Sequence, residues 1–195
     1  MSAPQNESTK DKTVDAALSC FAELGYDSVT TRLLAERAGV SLGLLTYHFR
    51  SKETLWKAAA DRLFWLLDQH MFDTVGQLQA KEPNDFGRET VRQIVFFNAE
   101  HPELLRFMLD RGKGSEQRSK WIVENHLKII FQAFSMTAVG LDQEHKAHAF
   151  YVLAGASGVF FASADEIAVV TGMDTKSQTA IERHADYLAD LIFPA

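Results

Sequence analysis

Between Thr30 and Lys52 the chain sets hydroxyl, imidazole and cationic side chains at the ends of short helical stretches. Thr31 and Tyr47 carry hydroxyls that can donate to phosphate oxygens, and His48 offers an imidazole N–H. Lys52 stands where a helix should begin, so its charge and the exposed backbone N–H groups both attract phosphate. Arg32 has the reach for a guanine edge or a phosphate. Gly43 allows close approach of a helix to its target. Leu42 and Leu44 cannot hydrogen-bond, so their natural partners there are thymine methyl groups. This is chemistry for holding and reading a DNA duplex.

Catalytic chemistry is not evident. There is no nucleophile elbow, phosphate loop or zinc-protease signature, so the chain is not expected to be an enzyme or to need a cofactor. His145 and His148 stand three apart with Glu144 beside them, but no further ligand joins them, and a solvated helix face is expected rather than a metal site. The single cysteine, Cys20, allows no intramolecular disulfide and reads as a small buried apolar residue.

The elements that must position these groups are helices. No run alternates apolar and polar residues as a half-buried strand would. Val14, Ala17, Leu18 and Phe21 form one apolar stripe of a first helix, about residues 10–24, ended by Gly25. Thr30 caps a short helix over 31–38, and Ser41 caps another over 42–49. Gly39 reverses the chain between them, with Ala35 small at the crossing and Val40 and Leu45 pointing inward. That is a helix-turn-helix, whose second helix lies in the major groove. Ser51 caps a long helix from Lys52 to Gly76 or beyond.

The stretch Thr30-Thr31-Arg32, Ala38-Gly39-Val40-Ser41, Gly43, Leu45 and His48-Phe49, followed by Ser51-Lys52-Glu53 and Leu55, resembles the TetR family of bacterial transcriptional regulators. The likeness covers about residues 10–60. It departs at Thr46, where many members have tyrosine; the aromatic falls one position later, at Tyr47. Thr46 can still donate one hydrogen bond to phosphate, with shorter reach. The resemblance implies an all-α fold: a polar leader (1–9), a three-helix DNA-binding domain (10–55) and a helical ligand-binding and dimerisation domain (56–195). It implies a homodimer on a palindromic operator, released by a small apolar or amphipathic effector.

Charge agrees with that division. Residues 1–60 carry seven basic and seven acidic side chains, so the net −6 lies entirely in residues 61–195. A DNA module need be positive only on the face that meets phosphate. No apolar stretch approaches the roughly 18 residues of a membrane span, and the polar start has no signal-peptide core. A cytoplasmic protein without a membrane partner is expected.

Beyond residue 80, further helices are expected over 86–100, 102–111, 116–139, 143–171 and 176–192, divided by glycine and proline. Their large apolar residues build a core and an interface. The resemblance adds an effector pocket, for which Phe96, Phe97, Phe107, Trp121, Phe131, Tyr151 and Phe160 are candidates. Arg106 and Asn125, with Asn98 and His126, are candidate polar groups. The small run Ala154–Gly158 permits close backbone approach, at an interface or around pocket space. By resemblance the dimer forms through residues 143–193, with Tyr187, Leu188, Leu191 and Ile192 as the apolar stripe of the final helix. A small-molecule-binding protein with a vestigial DNA module is the alternative.

Overall fold

The computed structural model describes residues 9–78, 83–109, 114–138 and 140–194. The expected leader falls almost wholly outside them. Among the described residues the chain is helical throughout, with no strand.

Helix α1 (Thr9–Ser28) buries Val14, Ala17, Leu18 and Phe21, the expected stripe. Gly25 leaves the helical region at φ 73°, and one more turn follows it. Helix α2 (Thr31–Arg37) opens where the Thr30 hydroxyl accepts from the Leu33 N–H, at 3.1 Å. It closes on Gly39 at φ 66°. There the Gly39 N–H donates to Glu36 and the Val40 N–H to Ala35, the paired bonds that terminate a helix through a left-handed residue. Helix α3 (Leu42–His48) follows at once, capped by Ser41. Helix α4 (Lys52–Leu78) starts at Ser51, whose hydroxyl accepts from the Thr54 N–H.

Helices α5 (Pro83–Glu100), α6 (Glu103–Met108) and α7 (Ser115–Ile122) come next. The expected helix over 116–139 is not a uniform α-helix. A π turn, Val123–Leu127, separates α7 from α8 (Lys128–Thr137). This turn carries His126, whose ring lies flat on Phe64 of α4 at 4.3 Å between centroids. The expected helix over 143–171 is also two. Helix α9 (Gln143–Ala162) ends at Ser163, whose φ of −106° and ψ of 26° leave the helical range. Helix α10 (Ala164–Thr171) departs at 74° to it. No single helix is long and apolar enough to cross a membrane. Helix α11 (Gln178–Ile192) closes the chain, capped by Ser177.

Two apolar cores result. The first joins α1–α3 to α4, α5, α6 and α7 through Phe21, Leu45, Trp56, Phe64, Phe97 and Phe107. The boundary expected after residue 55 therefore falls inside α4 and inside one continuous core. The second core gathers α5, α8, α9 and α11 around Val91, Val95, Phe134, Leu153 and Leu188. Arg88 pairs with Asp190 and Arg92 with Asp186, which sets α5 and α11 antiparallel. Gly87 is the close point of that packing: a Cβ there would stand 2.8 Å from the Phe193 ring.

The small run on α9 serves packing within the chain. Ser157 accepts from the buried Asn98 amide of α5 at 3.3 Å and donates to the Leu153 carbonyl. A Cβ on Gly158 would meet Leu105 of α6 at 2.9 Å. Gly155 faces nothing within 4 Å. The final-helix stripe divides similarly. Leu188 and Ile192 are buried against the second core, whereas Tyr187 and Leu191 are 66% and 56% exposed. The four do not make one interface: helical spacing brings them near one another, but α5 claims one side.

Candidate nucleic-acid interface

The two short helices owe their geometry to local chemistry. Each is too short to be stable alone, so caps and one or two core contacts must fix it. Thr30 and Ser41 satisfy N–H groups at their starts, and the reversal at Gly39 satisfies carbonyls of α2. Leu34 and Ala35 anchor α2, and Leu45 anchors α3 at 2% exposure. Phe49 packs beneath the end of α3. Every other residue of α3 faces solvent, including Leu42 at 46%, Leu44 at 38% and Tyr47 at 81%.

The nine candidate DNA contacts are thus distributed over α2, α3 and the start of α4. Arg32 is exposed and has no ion-pair partner among the described residues. Thr31 is half-buried at the first position of α2. Gly43, Thr46 and His48 are exposed. The Tyr47 ring meets His48 edge-on at 5.2 Å. The Thr46 hydroxyl turns inward, 2.9 Å from the Leu42 carbonyl and 3.0 Å from that of Gly43.

Lys52 differs from expectation. Its ammonium donates to the carbonyls of Tyr26 and Val29, both at 2.8 Å, and sits 4.2 Å from the Tyr26 ring centroid. It therefore ties the end of α1 and the entry to α2 onto α4, where a side chain devoted to phosphate was expected. The Tyr26 ring is also contacted by Arg118 of α7, at 3.8 Å, and Arg118 reaches Trp56 at 5.8 Å. Trp56 in turn stacks on Phe107 of α6 at 5.0 Å. These contacts join the helix-turn-helix to the rest of the chain, and Arg118 carried no sequence signal for the role.

The effector candidates do not converge on one space. Phe97 and Phe107 are buried in the first core. Phe96 and Phe131 pack half-buried against the second, while Trp121 lies against the first. Tyr151 is exposed. Arg106 donates to the Ala162 carbonyl, and Asn125 to that of Trp121. Phe160 lines an open cleft of about 320 Å³ together with Met173, Ser177, Arg183, His184 and Tyr187. His184 stacks flat on Phe160, 4.0 Å between centroids, and its Nε2 lies 3.2 Å from the Ala156 carbonyl. Burial holds this imidazole below the ordinary histidine pKa, against the opposing pull of that carbonyl.

His126 is similarly shifted. Burial lowers its pKa, and the nearby Asp61 and Asp68 carboxylates act the other way. Its Nε2 lies 3.1 Å from Asp61, and burial outweighs the pull of both carboxylates. Among the described residues no group of three or more His, Cys, Asp or Glu side chains is placed to hold a metal.

Residues 14–59 match the family model of bacterial regulatory proteins, tetR family. The chain is similar to the HTH-type transcriptional repressor Rv1474c of Mycobacterium tuberculosis, 47% identical over 47 residues, covering 24% of this chain and 25% of that protein. It is similar to the HTH-type transcriptional repressor KstR2 of Mycolicibacterium smegmatis, 29% identical over 130 residues, or 60% of this chain and 63% of that one. The matched stretches thus span between a quarter and just under two thirds of these two relatives. Among solved structures, a TetR-like transcriptional regulator from Rhodococcus sp. RHA1 superposes with a TM-score of 0.72 at 15% identity, over 97% of this chain and 96% of that one. AibR, solved with isovaleryl coenzyme A and operator DNA, superposes with a TM-score of 0.67 at 13% identity, over 96% and 99%. These likenesses extend the common fold over 96–97% of the chain.

Proposed function

We propose that this chain, which belongs to the tetR family of bacterial regulatory proteins through its N-terminal domain, is a DNA-binding transcriptional regulator. It acts as a homodimer on a palindromic operator and represses until a small apolar or amphipathic effector releases it. The observation that carries this reading is α3. A seven-residue helix is held by its caps and by Leu45 while its remaining side chains stand in solvent. A helix so presented fits a major groove.

Two further observations support the finer reading. Helices α9, α10 and α11 leave Tyr151, Val152, Val159, Val169, Val170, Tyr187 and Leu191 exposed. So many exposed apolar side chains on three successive helices are suited to cover by a second copy. That copy would also roof the cleft beside Tyr187. The same fold in AibR accommodates both an acyl-coenzyme A and operator DNA. An effector among the helices of residues 86–162 acts only if it favours one arrangement of the two recognition helices over another.

Selection of bound duplexes from a random pool tests the function. Enrichment of a palindromic sequence is expected. Failure to enrich any sequence, with small-molecule binding retained, would favour the vestigial-module alternative. Thermal-shift screening with lipophilic compounds tests the effector, since a ligand of the folded state stabilises it by mass action. A stabilising compound whose effect is unchanged by Phe131→Trp would move the pocket away from the α5–α8–α9 layer.

A further inference from the structure

We propose, resting on the DNA-binding reading above, that α3 reads the 5-methyl groups of pyrimidines. Thymine methyls seated against Leu42 and Leu44 set operator specificity, rather than hydrogen bonds from α3.

The N-terminal residues of a recognition helix are those that contact base edges. Here they are Leu42, Gly43 and Leu44. Hydrogen-bonded readout of a purine edge needs the paired donors and acceptors of Arg, Lys, Asn or Gln. None of these occurs in Leu42–His48. Of the hydroxyls, Ser41 caps the Leu44 N–H, Thr46 lies against the Leu42 and Gly43 carbonyls, and that of Tyr47 stands towards the far end of the helix, where it suits phosphate. What remains at the front of the helix is aliphatic, and the base feature it matches is the thymine C5-methyl, which lines the major groove.

Gly43 supports the same assignment. Beyond its chain neighbours and its own helix backbone, a Cβ there would meet nothing nearer than the Ser41 hydroxyl, at 4.0 Å. Packing within the chain therefore does not require glycine at this position. Close approach of an external surface does, and it would bring the leucines on either side down to the floor of the groove. Leu42 and Leu44 are exposed although Leu45 beside them is buried, so the two are not the margin of the core.

A consequence distinguishes this from ordinary base pairing preference. Cytosine lacks the methyl, and 5-methylcytosine restores it at the same place. Binding should respond to C5 methylation at the positions facing Leu42 and Leu44.

The test uses the full-length protein and an enriched duplex. Each thymine is replaced in turn by deoxyuridine, which removes the methyl and leaves pairing intact. Loss of one buried methyl predicts about four-fold weaker binding per half-site at one or two positions. L42A and L44A should each abolish the sensitivity at its own position while leaving the far-ultraviolet helical signal unchanged. At a sensitive position, 5-methylcytosine should bind more tightly than cytosine. Equal affinity for thymine and deoxyuridine throughout a tightly bound duplex would overturn the methyl assignment and leave the DNA-binding reading standing. Failure to enrich any duplex would overturn both.

Discussion

Replacing Lys52 by methionine separates two roles that its position at the start of α4 confuses. The ammonium makes two charge-assisted hydrogen bonds to the Tyr26 and Val29 carbonyls and lies over the Tyr26 ring. A hydrogen bond to a charged group contributes about 1.5–3 kcal/mol, and a cation over an aromatic face adds about 0.5–1 kcal/mol at partly exposed sites. Methionine keeps the aliphatic stem, and the freed carbonyls are only part-buried, so some of this is recovered through water. A net loss of about 2–3 kcal/mol follows, or roughly 4–12 °C in Tm for a chain of this size. Thermal unfolding would measure it. Operator affinity measured across salt concentrations supplies the second readout. A side chain that served phosphate alone would change the slope of log K against log salt by about 1 per half-site and leave Tm unmoved. A lower Tm with the slope preserved is expected here. An unchanged Tm with a reduced slope would refute the structural role.

Leu191→Arg should leave the fold intact and convert a sedimenting dimer to monomer at micromolar concentration, whereas Leu188→Arg should unfold the protein, because Leu188 is 1% exposed. Acidification should destabilise the chain. His126 and His184 are both held by burial below the ordinary value of about 6.5, so below that pH the unfolded chain takes up protons that the native one resists. Tm should fall as pH drops from 7 through 6 towards the depressed folded values, and His184→Gln should flatten the decline. Gly158→Ala, which would bring a Cβ to 2.9 Å from Leu105, should cost about 1–3 kcal/mol by chemical denaturation through overpacking between α9 and α6.

The helix-turn-helix was legible because everything that fixes it is local. Thr30, Ser41 and Ser51 stand three residues from the N–H groups they cap, and Gly39 marks the reversal that only a left-handed residue makes. Phe49 and Leu55, which belong to the same short pattern, are both buried. What escaped was set by distant partners. The carbonyls that hold Lys52 lie 23 and 26 residues away, with no side-chain signature to announce them. The π turn coincides with His126 seated on Phe64 of another helix. The side of α11 that turns inward is chosen by α5. A signal for that choice was present: Arg88 and Arg92 stand four apart, as do Asp186 and Asp190, and the two pairs meet in antiparallel register. The scattered aromatics of residues 86–162 gave composition without geometry, and most of them became core.

Arg118 of α7 and Phe107 of α6 reach back to Tyr26, Trp56 and Phe21. The reading head is consequently not an excisable cassette. A fragment ending within α4 would lose the ring that stacks on Trp56 and the guanidinium against Tyr26, leaving a sticky aromatic scar. A chimera that transplants residues 9–60 onto a related body inherits the same defect, unless this chain's α6 and α7 surface travels with the graft. Interchange of operator preference between relatives is therefore better sought by exchanging α3 side chains alone than by moving the domain.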